Sequence, residues 1–162
     1  MKTLLTGGKS AQALKLLKAF TADQVILADY GEIPSYASAQ YQFISLGERN
    51  DEIVAHNLLN TCLDLGIERL LPIYNFEVEA VAKSAILFEE FNIHVLLPDI
   101  HTFSTYPLTG AVNKQNWAIY DKGELLYATL QEADLQDAGK AKSLNGAFYM
   151  EETQNPILFT IA

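Results

Sequence analysis

Residues 3–14 read Thr-Leu-Leu-Thr-Gly-Gly-Lys-Ser-Ala-Gln-Ala-Leu, and residues 25–29 read Val-Ile-Leu-Ala-Asp. A short apolar run ends in two glycines, a helical pattern follows, and a second apolar run ends in an aspartate. This order predicts a strand, a helix and a second strand at Lys2–Thr6, Ser10–Phe20 and Gln24–Ala28. Together they form one βαβ unit, whose turn after the first strand is open to a ligand.

Further apolar runs alternate with helical patterns up to residue 97. Strands are predicted at Tyr41–Leu46, Arg69–Ile73 and His94–Leu97, and helices at Asp51–Leu65 and from Asn75 onward. This alternation is typical of a parallel sheet with helices on both faces. Because right-handed crossovers leave few topologies, we predict an α/β fold, a Rossmann-like three-layer sandwich with the strand order 3-2-1-4-5.

The pattern changes in the last third of the chain. It predicts a helix at Asp121–Ala133 and a hairpin from Gly146–Met150 and Pro156–Ile161. We therefore expect a Rossmann-like domain over residues 1–108. The helix and hairpin of residues 109–162 are expected to pack on it, because so short a segment cannot build its own core.

Composition limits the class of partner. The net charge is −9, and no stretch concentrates Lys or Arg, which argues against nucleic acid or an anionic membrane. The single cysteine, Cys62, allows no internal disulfide, and it lies on the apolar side of a predicted helix, where we expect it to be buried. No apolar run approaches the roughly 20 residues that span a bilayer, so we expect a cytoplasmic protein.

Thr6-Gly7-Gly8-Lys9-Ser10 follows the first strand and is the first candidate site. Glycines let the backbone approach a ligand closely, and the start of the next helix attracts anions. Lys9 adds a positive charge, and Ser10 is expected to cap the helix. The Gly-x-Gly-x-x-Gly spacing of dinucleotide-binding turns and the full P-loop spacing are absent. Two adjacent glycines also suit a turn that binds nothing, and both interpretations stay open.

Polar side chains follow other strands at the same predicted edge. Asp29 ends the second strand, where an acid can accept from a ribose hydroxyl, and Asn75 and Glu77 follow the fourth. The sequence thus predicts one ligand site that contains Gly7, Gly8, Lys9, Ser10, Asp29, Asn75 and Glu77. Tyr30 and Tyr36 suit a shield over this pocket or a simple cover of the sheet edge, and both interpretations stay open. Asp29 also suits the start of an exposed loop, and Asn75 and Glu77 suit a helix cap and an acid in the first turn.

The sequence predicts no metal centre and no catalytic residue. His56, His94 and His101 are scattered, without the spacing of metal ligands. No Gly-x-Ser-x-Gly elbow is present, and Cys62 has no recognisable His partner.

These residues together reveal a resemblance to a known family. The first hundred residues resemble the pre-ATP-grasp domain found at the front of ATP-grasp ligases. The resemblance is carried by Thr6-Gly7-Gly8, Val25–Asp29, Ser35–Ile44 and Pro72–Val78. Asp121-Lys122, with Glu124–Tyr127 and Leu130–Asp134, is similar to the Asp-Lys helix that begins the ATP-grasp part proper. The resemblance implies that Lys122 contacts a nucleotide phosphate, and that the glycine turn and the segment around Glu77 hold an acid or amine substrate.

The sequence also departs from that family. A complete ATP-grasp enzyme has two further lobes that enclose the nucleotide and its magnesium ions. The residues after Asp134 are too few to build these lobes and lack a Glu-x-Asn metal cluster. Because phosphoryl transfer depends on positioning and on charge neutralisation by metal, we expect no activity from the isolated chain.

We therefore expect a non-catalytic or partial ligase-like module that binds a small carboxylate, phosphate or nucleotide at the carboxyl edge of the sheet. The cofactor is left open between ATP and NAD(P). A protein partner that supplies the missing lobes, and homo-oligomerisation, are left open too. One alternative is an NAD(P)-binding Rossmann domain of an oxidoreductase or epimerase, which the absent third glycine and Tyr-x-x-x-Lys pair disfavour. The other is a purely structural interaction protein, which predicts no pocket.

Overall fold

A computed structural model describes residues 1–35, 38–107, 115–130 and 133–162 of the protein. Within these ranges, the first part of the chain forms a five-stranded parallel sheet of order β3-β2-β1-β4-β5. Its strands are β1 (Lys2–Leu5), β2 (Gln24–Asp29), β3 (Tyr41–Ser45), β4 (Arg69–Leu71) and β5 (His94–Val95). The predicted α/β class and strand order are confirmed.

Helices follow these strands, and the sequence marks the start of the first helix and the end of the second. They are α1 (Ala11–Leu16), continued by a 3₁₀ turn at Leu17–Phe20, then α2 (Val54–Leu65), α3 (Asn75–Lys83), α4 (Ala85–Glu90) and α5 (Ile100–Phe103). The Ser10 hydroxyl oxygen accepts from the Ala13 N–H at 3.1 Å and caps α1, as expected. Gly66 ends α2 at a φ of 66°, which a glycine adopts without strain.

Successive residues of the central strands face opposite sides of the sheet. Leu4 and Ile26 pack in a cluster with residues of α2, α3 and α4. Leu5 and Leu27 pack in a second cluster with α1 and its 3₁₀ turn. The central strands are therefore covered on both faces, and the loops after the strands lie at the carboxyl edge.

The last part of the chain forms a four-stranded antiparallel sheet of order β7-β6-β8-β9. Its elements are β6 (Trp117–Asp121), β7 (Glu124–Ala128), helix α6 (Ala133–Ala141), β8 (Gly146–Tyr149) and β9 (Ile157–Leu158). The predicted hairpin of β8 and β9 is present, and so is a short helix. The prediction of a helix at Asp121–Ala133 is wrong, however. Lys122 and Gly123 adopt φ values of 50° and 88°, which reverse the chain as a two-residue hairpin turn.

The two sheets share their hydrophobic clusters. Tyr120 and Phe148 of the second sheet join the cluster of Leu4, and Trp117 joins the cluster of Leu5. The boundary expected near residue 108 lies outside the described residues. No helix in the described ranges has the length and hydropathy needed to cross a bilayer.

Candidate functional site

Two buried carboxylates lie where the loops after β1, β2 and β4 meet. Asp29 is the last residue of β2, and Glu77 lies in the first turn of α3. Both side chains are buried, although acidic side chains are almost never fully buried unless paired. Their hydrogen-bond partners therefore decide what this edge of the sheet can do.

Glu77 accepts hydrogen bonds from all three loops. The Thr6 hydroxyl donates to Oε1 at 2.6 Å, the Tyr30 hydroxyl donates to Oε2 at 2.6 Å, and the Tyr74 N–H donates to Oε1 at 3.3 Å. The Thr6 oxygen in turn accepts from the Ile73 N–H at 2.9 Å. Glu77 thus joins the ends of β1, β2 and β4 across the point where the chain order in the sheet reverses.

Asp29 also accepts three hydrogen bonds. Its Oδ2 accepts from the Lys9 N–H at 2.9 Å, and its Oδ1 accepts from the Tyr30 N–H and the Tyr74 hydroxyl, each at 2.8 Å. The Lys9 N–H is one of the groups that the sequence assigns to an anionic ligand. In the structure, the protein's own carboxylate accepts from it, and Asp29 lies inside the protein rather than at the start of an exposed loop.

The pKa values of this network distinguish Glu77 from its neighbours. Burial raises the pKa of Glu77 to about 7, although the hydrogen bonds from Thr6, Tyr30 and the Tyr74 N–H favour the ionised form. Burial and neighbouring carboxylates raise the pKa of the Tyr30 and Tyr74 hydroxyls above the usual tyrosine value, so both remain donors. Glu77 is therefore the member whose charge changes near neutral pH.

The two glycines of the first turn are required by close packing. A Cβ on Gly8 would lie 2.8 Å from the Leu27 Cβ and 3.0 Å from the Leu27 carbonyl carbon. Gly7 has a φ of 66°, and a Cβ there would lie 2.9 Å from Ile73 and 3.0 Å from Ile161. The turn therefore packs against β2 and against the end of the chain.

Residues near the end of the chain cover part of this edge. The Ile161 N–H donates to the Ile73 carbonyl at 2.7 Å, and the Asn75 N–H donates to the Ile161 carbonyl at 2.9 Å. Asn75 is the first residue of α3, and Tyr74 takes the capping position that the sequence assigns to Asn75. The Asn75 side-chain oxygen is buried and has no hydrogen-bond partner among the described residues.

An aromatic cluster covers the carboxylates from the solvent side. We define it as Tyr30, Tyr74 and Phe76, and the Phe76 ring centroid lies 5.2 Å from that of Tyr30 and 5.1 Å from that of Tyr74. The exposed Lys9 ammonium donates to the Tyr30 carbonyl at 2.8 Å. The Arg49 guanidinium lies 3.7 Å from the Phe76 centroid. One cation thus lies over a ring of the cluster, and a second bonds the backbone of Tyr30.

The sequence analysis missed Arg49, Thr6 as a hydrogen-bond donor and the end of the chain. Arg49 lies in the loop after β3, so the rule that loops after parallel strands meet at one edge would have included it. Thr6 is part of the quoted turn, but its partner Glu77 is 71 residues away. No local signal points to Ile161.

The structure brings most of the predicted site residues together. Gly7, Gly8, Lys9, Ser10, Asp29, Asn75 and Glu77 all lie at the carboxyl edge, and the Ser10 hydroxyl donates to the Gly7 carbonyl at 2.6 Å. Tyr30 covers the carboxylates at this edge, whereas Tyr36 lies outside the described residues.

Lys122 does not join this group. It lies in the β6–β7 turn, and its ammonium is 3.6 Å from Glu89 Oε2 of α4. Its neighbour Asp121 pairs with Arg69, the first residue of β4, at the opposite edge of the sheet. The Asp-Lys helix of the resemblance is a hairpin turn here, so Lys122 is not presented as the family pattern implies.

The described residues offer neither a metal cluster nor an exposed thiol. No group of three or more His, Cys, Asp and Glu side chains there could hold a metal ion. Cys62 is buried, as predicted, and burial raises the pKa of its thiol to about 12. Open cavities of about 540 and 510 Å³ lie elsewhere, the first near Tyr106 and Pro156 and the second between α4 and β5.

The comparisons with protein families and with curated proteins find no relative. A scan against protein-family models matches no family, and a search of the curated proteins finds no significant match. The function is therefore argued from the geometry of this edge.

Proposed function

We propose that this chain is a non-catalytic binding module, acting in the cytoplasm, that holds a small planar carboxylate, a phosphate ester or a nucleotide at the carboxyl edge of its parallel sheet. The observation that carries the proposal is the placement of two cations at the aromatic cluster: the Arg49 guanidinium lies over the Phe76 ring, and the Lys9 ammonium donates to the backbone carbonyl of Tyr30. A cation supplies charge for an anionic group, and aromatic rings supply a surface for a planar one.

The state of the buried acids supports binding without catalysis. A general acid or base must reach the reacting group of the substrate. The oxygens of Asp29 and Glu77 already accept from three protein donors each, and both carboxylates lie beneath the tyrosines. The network therefore serves as a rigid base for the aromatic cluster.

The outer cations retain capacity for a ligand. The exposed Lys9 ammonium has three donors, and the acceptor it has among the described residues is the Tyr30 carbonyl. Arg49 binds Asp51 at 2.7 and 2.9 Å, but both side chains are more than half exposed, so an incoming anion can compete for the guanidinium. The resemblance to pre-ATP-grasp domains supports ligand binding at the same edge. A partner chain that supplies further lobes remains part of the proposal.

The test is a thermal-shift titration with ATP, NAD⁺, NADP⁺, inorganic phosphate, benzoate and acetate. A ligand at 100 times its dissociation constant adds roughly 2.7 kcal/mol to the free energy of unfolding. We expect stabilisation by ATP or benzoate, and we expect Lys9→Gln and Arg49→Gln to weaken it. Lys15→Gln, an exposed lysine of α1, is the matched control.

Two outcomes contradict the proposal. Stabilisation by NAD⁺ or NADP⁺ alone supports the dinucleotide-binding alternative, and no stabilisation by any compound supports the structural interaction protein. Lys122→Gln tests the phosphate contact that the resemblance implies for this lysine. Because Lys122 lies beside α4, we expect ATP binding to be unchanged in that variant.

A further inference from the structure

Three consecutive backbone N–H groups of the turn after β1 already have acceptors within the protein. The Gly8 N–H donates to the Ala28 carbonyl at 3.0 Å, and the Ser10 N–H donates to a carbonyl of the same turn at 2.9 Å. Between them, the Lys9 N–H donates to Asp29 at 2.9 Å. A phosphate that binds where a glycine turn leads into a helix needs such N–H groups as donors. This turn therefore does not offer them to a phosphate.

The Arg49 guanidinium, in contrast, has free donors. Its Nε donates to Asp51 Oδ1 at 2.7 Å and its Nη2 donates to Asp51 Oδ2 at 2.9 Å, so Asp51 occupies one side of the planar group. An arginine has five N–H donors, and no described residue accepts from Nη1. Nη1 and the second N–H of Nη2 thus form another pair of donors, which matches the two oxygens of a planar carboxylate.

The charges at this edge oppose a ligand that carries several negative charges. Two cations, Lys9 and Arg49, lie near two carboxylates, Asp29 and Asp51, and Glu77 adds a further negative charge when it is ionised. The edge therefore has no excess of positive charge, and the whole chain carries −9. Because like charges repel, a phosphate dianion or a polyphosphate is opposed more strongly here than a monocarboxylate.

The Phe76 ring favours an aromatic group on the ligand. The guanidinium lies 3.7 Å from the Phe76 centroid, so a carboxylate that binds its free donors brings the attached group close to the aromatic cluster. The Phe76 ring stacks in turn on that of Tyr74, with 5.1 Å between the centroids and 27° between the planes. Aromatic rings attract one another in offset and tilted arrangements, so an aromatic group gains more at this place than an aliphatic one.

We infer that this edge selects an aromatic monocarboxylate, whose carboxylate binds Nη1 and Nη2 of Arg49 and whose ring packs against the aromatic cluster, and that phosphates bind more weakly. The inference rests on the proposed function, because it names the ligand class for the same edge. Benzoate is the probe. Phenyl phosphate carries the same ring on a tetrahedral dianion, and benzamide has the same planar shape without the charge.

The test is an NMR titration of the isotope-labelled full chain at about pH 7.5 with up to about 20 mM of each compound, which detects millimolar dissociation constants. The Arg49 Nε–H and Phe76 N–H signals report on the edge, and chloride keeps the ionic strength constant. We expect benzoate to bind about tenfold more tightly than phenyl phosphate and than benzamide, because charge and planar shape both count.

Two variants separate charge from shape. Asp51→Asn removes a negative charge beside the guanidinium, so the affinity for phenyl phosphate should rise about threefold relative to that for benzoate. Arg49→Lys keeps the charge but loses the paired donors, and it should weaken benzoate binding about tenfold. Asp64→Asn, at an exposed position of α2, is the matched control and should leave both affinities unchanged. Circular dichroism checks that the variants are folded.

The outcomes distinguish this inference from the proposed function. Phenyl phosphate that binds as tightly as benzoate, or more tightly, overturns the inference but leaves the proposed function intact, because an anion then still binds at this edge. Benzamide that equals benzoate, or an unchanged ratio of affinities in Asp51→Asn, overturns the inference as well. If benzoate, phenyl phosphate and ATP all leave the Arg49 and Phe76 signals in place, the inference and the proposed function both fail.

Discussion

The Tyr30 hydroxyl donates to Glu77 Oε2 at 2.6 Å and joins the loop after β2 to the first turn of α3. Tyr30 also covers Glu77 from the solvent side, where its ring lies against Phe76. One side chain thus both satisfies the buried carboxylate and separates it from water. The stability of this edge and its response to pH follow from this contact.

Tyr30→Phe removes this donor and keeps the ring. We expect the free energy of unfolding at about pH 8 to fall by about 1–3 kcal/mol, because an ionised buried carboxylate loses a hydrogen bond. The loss should be smaller at about pH 5, where Glu77 is protonated. Urea unfolding at both pH values measures the difference. Tyr127→Phe is the control, since no hydrogen bond joins Tyr127 to a carboxylate among the described residues; equal effects of the two substitutions would contradict the assignment.

Glu77→Gln should change how stability depends on pH. The pKa of Glu77 is about 7 in the folded protein against 4.5 for the free side chain, so the folded state binds this proton more tightly than the unfolded state. Stability from this proton is therefore fully present below about pH 4.5 and is lost as the pH rises through 7, by about 3 kcal/mol in total. Glu77→Gln should lack this component. Subtracting its urea-unfolding profile from that of the wild type isolates Glu77, and a flat difference would refute the raised pKa.

Arg69→Met should weaken the junction between the two sheets. The Arg69 side chain is 11% exposed and donates to Asp121 at 3.1 Å and to Asp23 at 3.3 Å. Removing it takes a shared cation from two largely buried carboxylates, and leaves Asp23 with the Met1 ammonium at 3.7 Å and Asp121 with His94 at 3.8 Å. We expect this to cost about 3 kcal/mol. Arg49→Met breaks a pair with Asp51 in which the arginine is 53% exposed, and it should cost less than about 1 kcal/mol. Chemical unfolding of both variants measures the contrast, and similar losses would show that exposure does not decide the strength of these pairs.

Asn145→Ala should loosen the hairpin of β6 and β7 from β5. The Asn145 amide donates to the Val95 and Leu97 carbonyls at 3.0 Å each, and its oxygen accepts from the Lys122 N–H at 3.1 Å. We expect a loss of about 1–3 kcal/mol, because part-buried backbone groups lose their partner. The Lys122 amide should also exchange with deuterium faster than in the wild type. Asn60→Ala, at an exposed position of α2, should change neither the free energy of unfolding nor this exchange rate. An unchanged exchange rate of the Lys122 amide in Asn145→Ala would contradict the role of the Asn145 side chain.

Local patterns were sufficient for the architecture of the first hundred residues. Alternating apolar runs and helical spacing predicted the class and the strand order, and Ser10 and Gly66 mark helix ends where expected. These signals arise within a few residues of each other, so they do not depend on what packs against them. The same signals failed at residues 121–133. Leu125 and Leu126 fit a helical stripe, but the positive φ values of Lys122 and Gly123 allow pairing of β7 with β6.

The sequence by itself determined that glycines, acids and a lysine follow strands of a parallel sheet, and thus that they share an edge. Only the tertiary structure decided that the acids are bound by Thr6, Tyr30 and Tyr74, that Ile161 belongs to the same edge, and that Lys122 does not. Thr6 and Glu77 are 71 residues apart, and Tyr30 and Glu77 are 47 apart. The physical reason is that a buried carboxylate takes the donors that packing brings within about 3 Å, and no local pattern encodes which distant side chains those will be.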